Sequence, residues 1–158
     1  MDAYDIMLYA TYLLAVVGTI LSIVMPLIKS LDDPKATTRR LAAEILGKME
    51  VDSAAPALTR LLSDPEPDVR ASALSSLKAL HAPPGLDAIL KLLHDDNNQV
   101  QLQTLKLIQQ LDPSIAQFLK DKLIEILHGD SSVSVQMQAA VSMTKLGLGD
   151  QTQEKMIE

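Results

Sequence analysis

From Ile6 to Ile28 the chain reads IMLYATYLLAVVGTILSIVMPLI, with no Asp, Glu, Lys, Arg or His. A hydrocarbon core about 30 Å thick is crossed by roughly 20 apolar residues rising 1.5 Å each. In lipid a lone segment must satisfy its own backbone groups, so it can cross only as a helix. Pro26 falls near the end of the run, where a lost backbone bond costs least. The stretch is therefore expected to be a single membrane anchor. A cleaved signal peptide fits less well. The opening Met1-Asp2-Ala3-Tyr4-Asp5 lacks Lys and Arg, and the run exceeds the about 7–15 apolar residues of a signal peptide. Tyr9, Thr11, Tyr12, Thr19 and Ser22 dilute the apolar character, which leaves a buried core helix or the interface of a soluble oligomer as the other uses for it.

The flanks give the anchor a direction. Asp2 and Asp5 precede it, whereas Lys29, Lys35, Arg39 and Arg40 follow. A Lys/Arg excess marks the cytoplasmic side, so the expected location is the cell membrane, single-pass, with a short N-terminal stub outside and everything after the span in the cytoplasm. Within the span Ala15, Gly18, Thr19 and Ser22 bring small residues three and four apart, a spacing used by closely packed membrane helices.

The part beyond residue 31 is long enough for one domain. Cys and Trp are absent and Phe118 is the only Phe, so there is no disulfide, no thiol chemistry and no Cys-ligated metal. A core of Leu, Ile, Val, Ala and Met favours stacked helices over a β-sandwich. The net charge of −6 argues against nucleic acid, whose binders carry a basic face.

This part repeats. Asp33-Pro34, Asp64-Pro65, Asp95-Asp96 and Asp130-Ser131 each precede a helical pattern whose first positions are Thr38, Val69, Val100 and Val135, in steps of 31, 31 and 35 residues. Between them lie second helical segments at 54–63, 84–94 and 113–129. A fixed period of this size signals a solenoid, here of about four helix pairs, A then B. In the second unit Val69, Ala73, Leu77 and Leu80 line one stripe of helix B, and Leu58, Leu61 and Leu62 one stripe of helix A. The acidic turns are expected to cap the B helices. The end of the apolar run, Pro26 to Leu31, stands where a first A helix belongs, so the anchor should enter the stack with little linker. Asp150 and Gln153 have capping-box spacing and suggest an unfinished fifth unit.

The pattern Asp64-Pro65-x-x-Asp68-Val69-Arg70-x-x-Ala73-x-x-x-Leu77 resembles a HEAT repeat, and the period is similar to the short HEAT-like type of phycobilisome-lyase-like proteins. The resemblance covers roughly residues 25–147. It implies an α-solenoid that binds protein partners, with an Arg tying neighbouring turns. Gln101 and Gln136 stand where that Arg belongs in the third and fourth units.

The fold class expected is all-α: residues 1–31 a stub and membrane helix, 32–147 the HEAT-like domain, and 148–158 a cap or tail. The expected function is that of a non-catalytic, membrane-anchored adaptor or accessory subunit. The alternative is a lyase-type factor handling a chromophore or cofactor, which would need a pocket of converging polar groups. No catalytic, cofactor-binding or metal residues are expected. His81, His94 and His128 each end a helix, where a cation suits the dipole, and Asp95-Asp96-Asn97-Asn98 lacks the Gly and Glu of a calcium loop.

Two candidate interaction surfaces remain. Asp32, Asp33, Asp64, Asp68, Asp95, Asp96 and Asp130 recur once per unit and should line one edge suited to a basic segment. Counting 100° per residue, B-helix positions two and six past the pattern start point away from the core. These are Arg40, Glu44, Ala71 and Ser75, then Leu102, Lys106, Met137 and Val141. Three apolar residues there suggest a partner patch, unless the tail around Met156 and Ile157 covers them.

Overall fold

The apolar run and the residues after it form one unbroken helix, α1 (Ala3–Ser30). In this computed structural model residues 2–148 are described, apart from the side chains of residues 3, 19, 20, 113, 114 and 116. The expected features at Asp150, Gln153, Met156 and Ile157 lie outside the described residues. Asp2 starts α1 with a capping box: its carboxylate accepts the Asp5 N–H at 2.8 Å, and the Asp5 carboxylate accepts the Asp2 N–H at 3.2 Å. The helix passes through Pro26, and Ser30 Oγ donates to the Pro26 carbonyl at 2.9 Å.

Helix pairs follow. The B helices are α2 (Ala36–Lys48), α4 (Pro67–Ala79), α6 (Asn98–Ile108) and α8 (Val133–Lys145). The A helices are the end of α1, then α3 (Ala55–Arg60) between short 3-10 turns at 52–54 and 61–63, α5 (Leu86–Leu93) and α7 (Pro113–His128). No strand occurs among the described residues. Each helix buries the stripe set by its spacing. Leu46, Leu58, Leu74, Leu77, Leu93, Leu105, Ile108, Leu119 and Leu123 are sealed from solvent in one continuous core, each contributing about 2 kcal/mol of apolar burial. α1 joins that core only at its end. Val24 and Leu31 are buried, and Leu27 and Ile28 pack beside them.

Three of the B helices stop in the same way. Beyond α2, α4 and α8 the residues Glu50, His81 and Gly147 take positive φ (52°, 50° and 67°). The following N–H groups of Val51, Ala82 and Leu148 reach back to the carbonyls of Leu46, Leu77 and Met143 at 2.9–3.1 Å, a Schellman closure. Only Gly147 adopts that conformation without crowding its own Cβ.

The acidic turns do not cap the B helices as expected. The residues at the N-caps are Lys35, Glu66, Asn97 and Ser132, and of these only Asn97 accepts helix N–H groups, from Gln99 and Val100. Asp33, Asp64 and Asp95 sit two residues earlier. Each accepts the N–H two residues on, from Lys35, Glu66 and Asn97 at 2.8–2.9 Å. A carboxylate at that offset closes the turn and keeps its second oxygen free for another donor.

Candidate partner-binding face

Successive B helices pack directly on one another, α2 on α4, α4 on α6 and α6 on α8, whereas successive A helices hardly touch. The B layer is therefore the inner side of the curved stack, the side on which solenoids present a concave surface.

Its spacing is set by small side chains and polar ties. A Cβ built on Gly47 would lie 2.5 Å from Ser76 Oγ and 2.8 Å from Ser76 Cα, so only glycine lets α2 and α4 approach this closely. Ser76 Oγ donates to the Ala43 carbonyl at 2.8 Å. In the turns, Arg39 donates from Nε and Nη2 to both Asp64 carboxylate oxygens (2.7 and 2.8 Å) and from Nη1 to the Asp33 and Pro34 carbonyls (2.9 and 3.1 Å). Arg70 repeats this one unit later, on both Asp95 oxygens (2.7 Å each) and on the Asp64 and Pro65 carbonyls (2.8 and 3.1 Å). Burial pushes the Asp64 carboxyl up. The Arg39 hydrogen bond, the Glu66 N–H and the charges of Arg39 and Arg70 outweigh it and hold the group below the ordinary carboxylate range. The hydrogen bonds to Asp64 and Asp95 raise Arg39 and Arg70, against the opposing effect of their own burial.

Gln101 and Gln136 keep half of this arrangement. Gln101 Nε2 donates to the Asp95 carbonyl of its own turn at 2.9 Å, and Gln136 Nε2 to the Gly129 carbonyl at 2.7 Å. No bridge to the next unit is formed at Gln101, and its Oε1 is buried with no partner.

These ties divide the acidic edge in two. Asp64 is buried, and Asp95 and Asp33 are half-buried and engaged in the turns. Asp32, Asp68, Asp96 and Asp130 are exposed, Asp32 at 3.4 Å from Arg60. The edge offered to a partner is thus about half of the one expected from counting carboxylates.

The inward face of α2, α4 and α6 forms an open groove of about 800 Å³. Its floor on α4 is small (Ala71, Ser72, Ser75, Ala79), and its walls carry the paired Arg40 and Glu44, Lys48, Asp68, Gln99 and Gln103. A polar face with a low floor lets an extended segment or a helix lie close to the backbone. Among the described residues no group of three metal-ligating side chains converges.

Positions two and six of α2 and α4, Arg40, Glu44, Ala71 and Ser75, line this groove, and those of α6 and α8 lie at the equivalent positions of the later B helices. Arg40 and Glu44 are half-buried, Lys106 is half-buried, and Met137 and Val141 are exposed by 66% and 44%. Leu102 departs from expectation: it is half-buried and packs against the core. Direct packing of α6 on both α4 and α8 covers residues that a single-helix count places in water. The face is therefore polar in the first units and apolar in the last.

On α1, Ala15, Gly18 and Ser22 are exposed, and a side chain at Gly18 would meet open space. The Thr19 side chain is outside the described set. The three histidines are exposed at helix ends: His81 one residue past the Leu80 C-cap, His94 the C-cap of α5, His128 the last residue of α7. The groove floor, the Gly47–Ser76 contact and the turn role of the aspartates escaped sequence reasoning. A lone glycine inside a B helix was the available signal for the close contact.

The family profile described as HEAT repeats matches residues 24–109, beginning at the residue where α1 first packs into the core. Two crystal structures of engineered proteins have the same fold. One superposes with a TM-score of 0.61 at 20% identity, over 78% of this chain and 62% of that one. The other does so with a TM-score of 0.61 at 20% identity, over 85% and 68%. The chain spans less than two thirds of the first of them. No curated protein matches the sequence.

Proposed function

The chain belongs to the HEAT-repeat family, and we propose that it is a membrane-anchored, non-catalytic interaction scaffold. HEAT repeats serve as protein-interaction scaffolds, and the inner B-helix face is the surface proposed for this role. α1 is the anchor. It is single-pass in the cell membrane, with its N-terminus outside and the repeats in the cytoplasm, as the Lys29, Lys35, Arg39 and Arg40 flank directs. The protein partner lies along the groove over α2, α4 and α6 and reaches the apolar patch of Met137 and Val141. No cofactor, metal or nucleic acid enters this reading.

One observation carries it. Ile6, Met7, Leu8, Tyr9, Leu13, Leu14, Val17, Leu21 and Ile23 are each exposed by 45–72%, and α1 enters the core only from Val24. Among the described side chains, residues 6–23 thus form a largely uncovered apolar stretch about 27 Å long at 1.5 Å per residue, close to the thickness of a hydrocarbon core. Exposed apolar surface of that extent is rare on soluble monomers and marks a membrane or protein contact. With packing starting at Val24, the first unit sits directly against the membrane face.

Fractionation tests the anchor. The full chain should stay with membranes through an alkaline wash and leave only with detergent; recovery in the wash supernatant would end the anchoring claim. For the scaffold role, cross-linked membranes should yield a partner with the unaltered chain and with Phe118→Asp, but not with Met137→Asp/Val141→Asp.

A further inference from the structure

The last B helix differs from the first two at the positions that line the groove. Two, six and ten residues past the pattern start, α2 carries Arg40, Glu44 and Lys48, and α4 carries Ala71, Ser75 and Ala79. The same positions of α8 are Met137, Val141 and Lys145. Met137 and Val141 are exposed by 66% and 44%, and the lysine closes the strip at the end where Leu148 stands. Among the described residues neither Lys145 nor Lys106, at position six of α6, has an ion-pair partner.

Residues 149–158 continue from that end as Gly-Asp-Gln-Thr-Gln-Glu-Lys-Met-Ile-Glu. They do not fit a fifth A helix in register. The Leu148 N–H closes on Met143 as the N–H groups of Val51 and Ala82 close on Leu46 and Leu77. That register sets Lys155 level with Leu58 and Ile89, and Glu158 level with Leu61 and Leu92, all four buried. Lys and Glu are almost never fully buried unless paired. Met156 and Ile157 would meanwhile take the places of Thr59 and Arg60, which are exposed.

We propose that residues 149–158 instead turn back along α8 and lay Met156 and Ile157 on Val141 and Met137, with Glu154 against Lys145. Reach, pattern and charge favour this occupant. Asp150 and Gln153 have capping-box spacing, which starts a reversed helix at residue 151. Counted from Asp150, Glu154, Met156 and Ile157 lie about 6, 9 and 10 Å along such a helix. Counted from Leu148, Lys145 and Val141 lie about 4 and 10 Å back along α8, so the like levels meet. Gln153, Met156 and Ile157 stand three and four apart and share one side. The segment carries Asp150, Glu154 and Glu158 against Lys155 alone, which suits a strip flanked by Lys145 and Lys106.

The segment is then a removable cover over the patch assigned above to a partner, and a partner's apparent affinity falls with the fraction of chains that are covered. Only this regulatory consequence rests on the scaffold reading. The contact itself needs neither partner nor membrane, so its test fails separately.

The sequence contains no Cys, so paired cysteines in the full chain report on this contact alone. Met137→Cys/Met156→Cys, oxidised at low protein concentration in its native fraction, should bridge within one chain and keep the 17.2 kDa mass. Phe118→Cys/Met156→Cys is the comparison. Phe118 is 76% exposed near the start of α7, at the same end of the unit as the end of α8 but on the A layer, and this pair should stay reduced. A Met137 pair that stays reduced, a bridged product at twice the mass, or equal bridging of the Phe118 pair would each overturn the proposal. Alkylation of Met137→Cys gives a second reading. Its rate should rise about threefold or more with Met156→Asp/Ile157→Asp, as a cover present on most chains requires. Glu154→Lys should raise it too, and adding Lys145→Glu should bring it back. A rate that ignores the first change, or that the charge swap does not restore, would refute the cover.

Discussion

The first two junctions of the stack and the last are built from the same apolar stripe but joined by different polar chemistry. Between units one and two, and again between two and three, a guanidinium grips its own turn through two carbonyls and the next turn through both oxygens of a carboxylate. Between units three and four Gln101 grips its own turn alone, and the neutral bonds from Gln109 to Ser142 and from Ser142 to the Leu105 carbonyl tie the helices. Apolar spacing thus suffices to stack a repeat, and the charged ladder adds a fixed register between turns. The half of the molecule next to α1 has both, while the half carrying Met137 and Val141 has only the first. The end of the stack beside α1 is thus tied by charged and apolar contacts, and the end carrying Met137 and Val141 by apolar contacts and neutral hydrogen bonds.

The largest expected effect tests what the two halves share. Leu74 and Leu105 occupy equivalent positions on α4 and α6, and both are sealed from solvent. Leu74→Ala and Leu105→Ala should each cost about 3 kcal/mol of unfolding free energy by chemical denaturation. A much smaller cost at Leu105 would mean that apolar packing as well as the ladder thins toward the last units.

Exchanging the ladder chemistry isolates what they do not share. Arg70→Gln makes the second junction like the third, and losing its two charge-assisted bonds to Asp95 should cost about 2 kcal/mol. The reverse change, Gln101→Arg, removes a buried acceptor that has no partner and gives Asp130 a bridge. Asp130 is exposed, so the gain should be no more than about 1 kcal/mol. Hydrogen exchange should show slower opening of α8 in Gln101→Arg; exchange unchanged there would separate the ladder from register.

Much of this was legible in the sequence because helical spacing and a fixed period need no knowledge of neighbours. Steps of 31 residues from Thr38 to Val100 located the B helices, and the apolar run located α1. What depended on neighbours was not legible. Asp64 looks like a helix cap until its offset of two residues from the N-cap is known, and only then is its second oxygen seen to meet Arg39. Leu102 counts as outward on an isolated helix, yet in the stack it is half-buried and packs against the core. Lys155 and Glu158 look compatible with a fifth unit until the closure at Leu148 sets them level with Leu58 and Leu61, which are buried.

The smallest expected effect is a pH dependence confined to the laddered half. The Asp64 carboxyl is held below its ordinary range in the folded chain, whereas unfolded it titrates near about 3.9. A group depressed by folding binds fewer protons when native, so its contribution is fully present above the unfolded value and is lost as pH falls through the lower folded value. Asp64→Asn removes that titration. Denaturation midpoints of the unaltered chain and of Asp64→Asn should therefore differ by a constant amount from pH 7 down to about pH 5 and converge below about pH 4. The other carboxylates cancel in that difference. Lines that stay parallel to the acid limit would mean that Arg39 stabilises Asp64 no more in the folded chain than water does in the unfolded one, and the ladder would then be a matter of geometry alone.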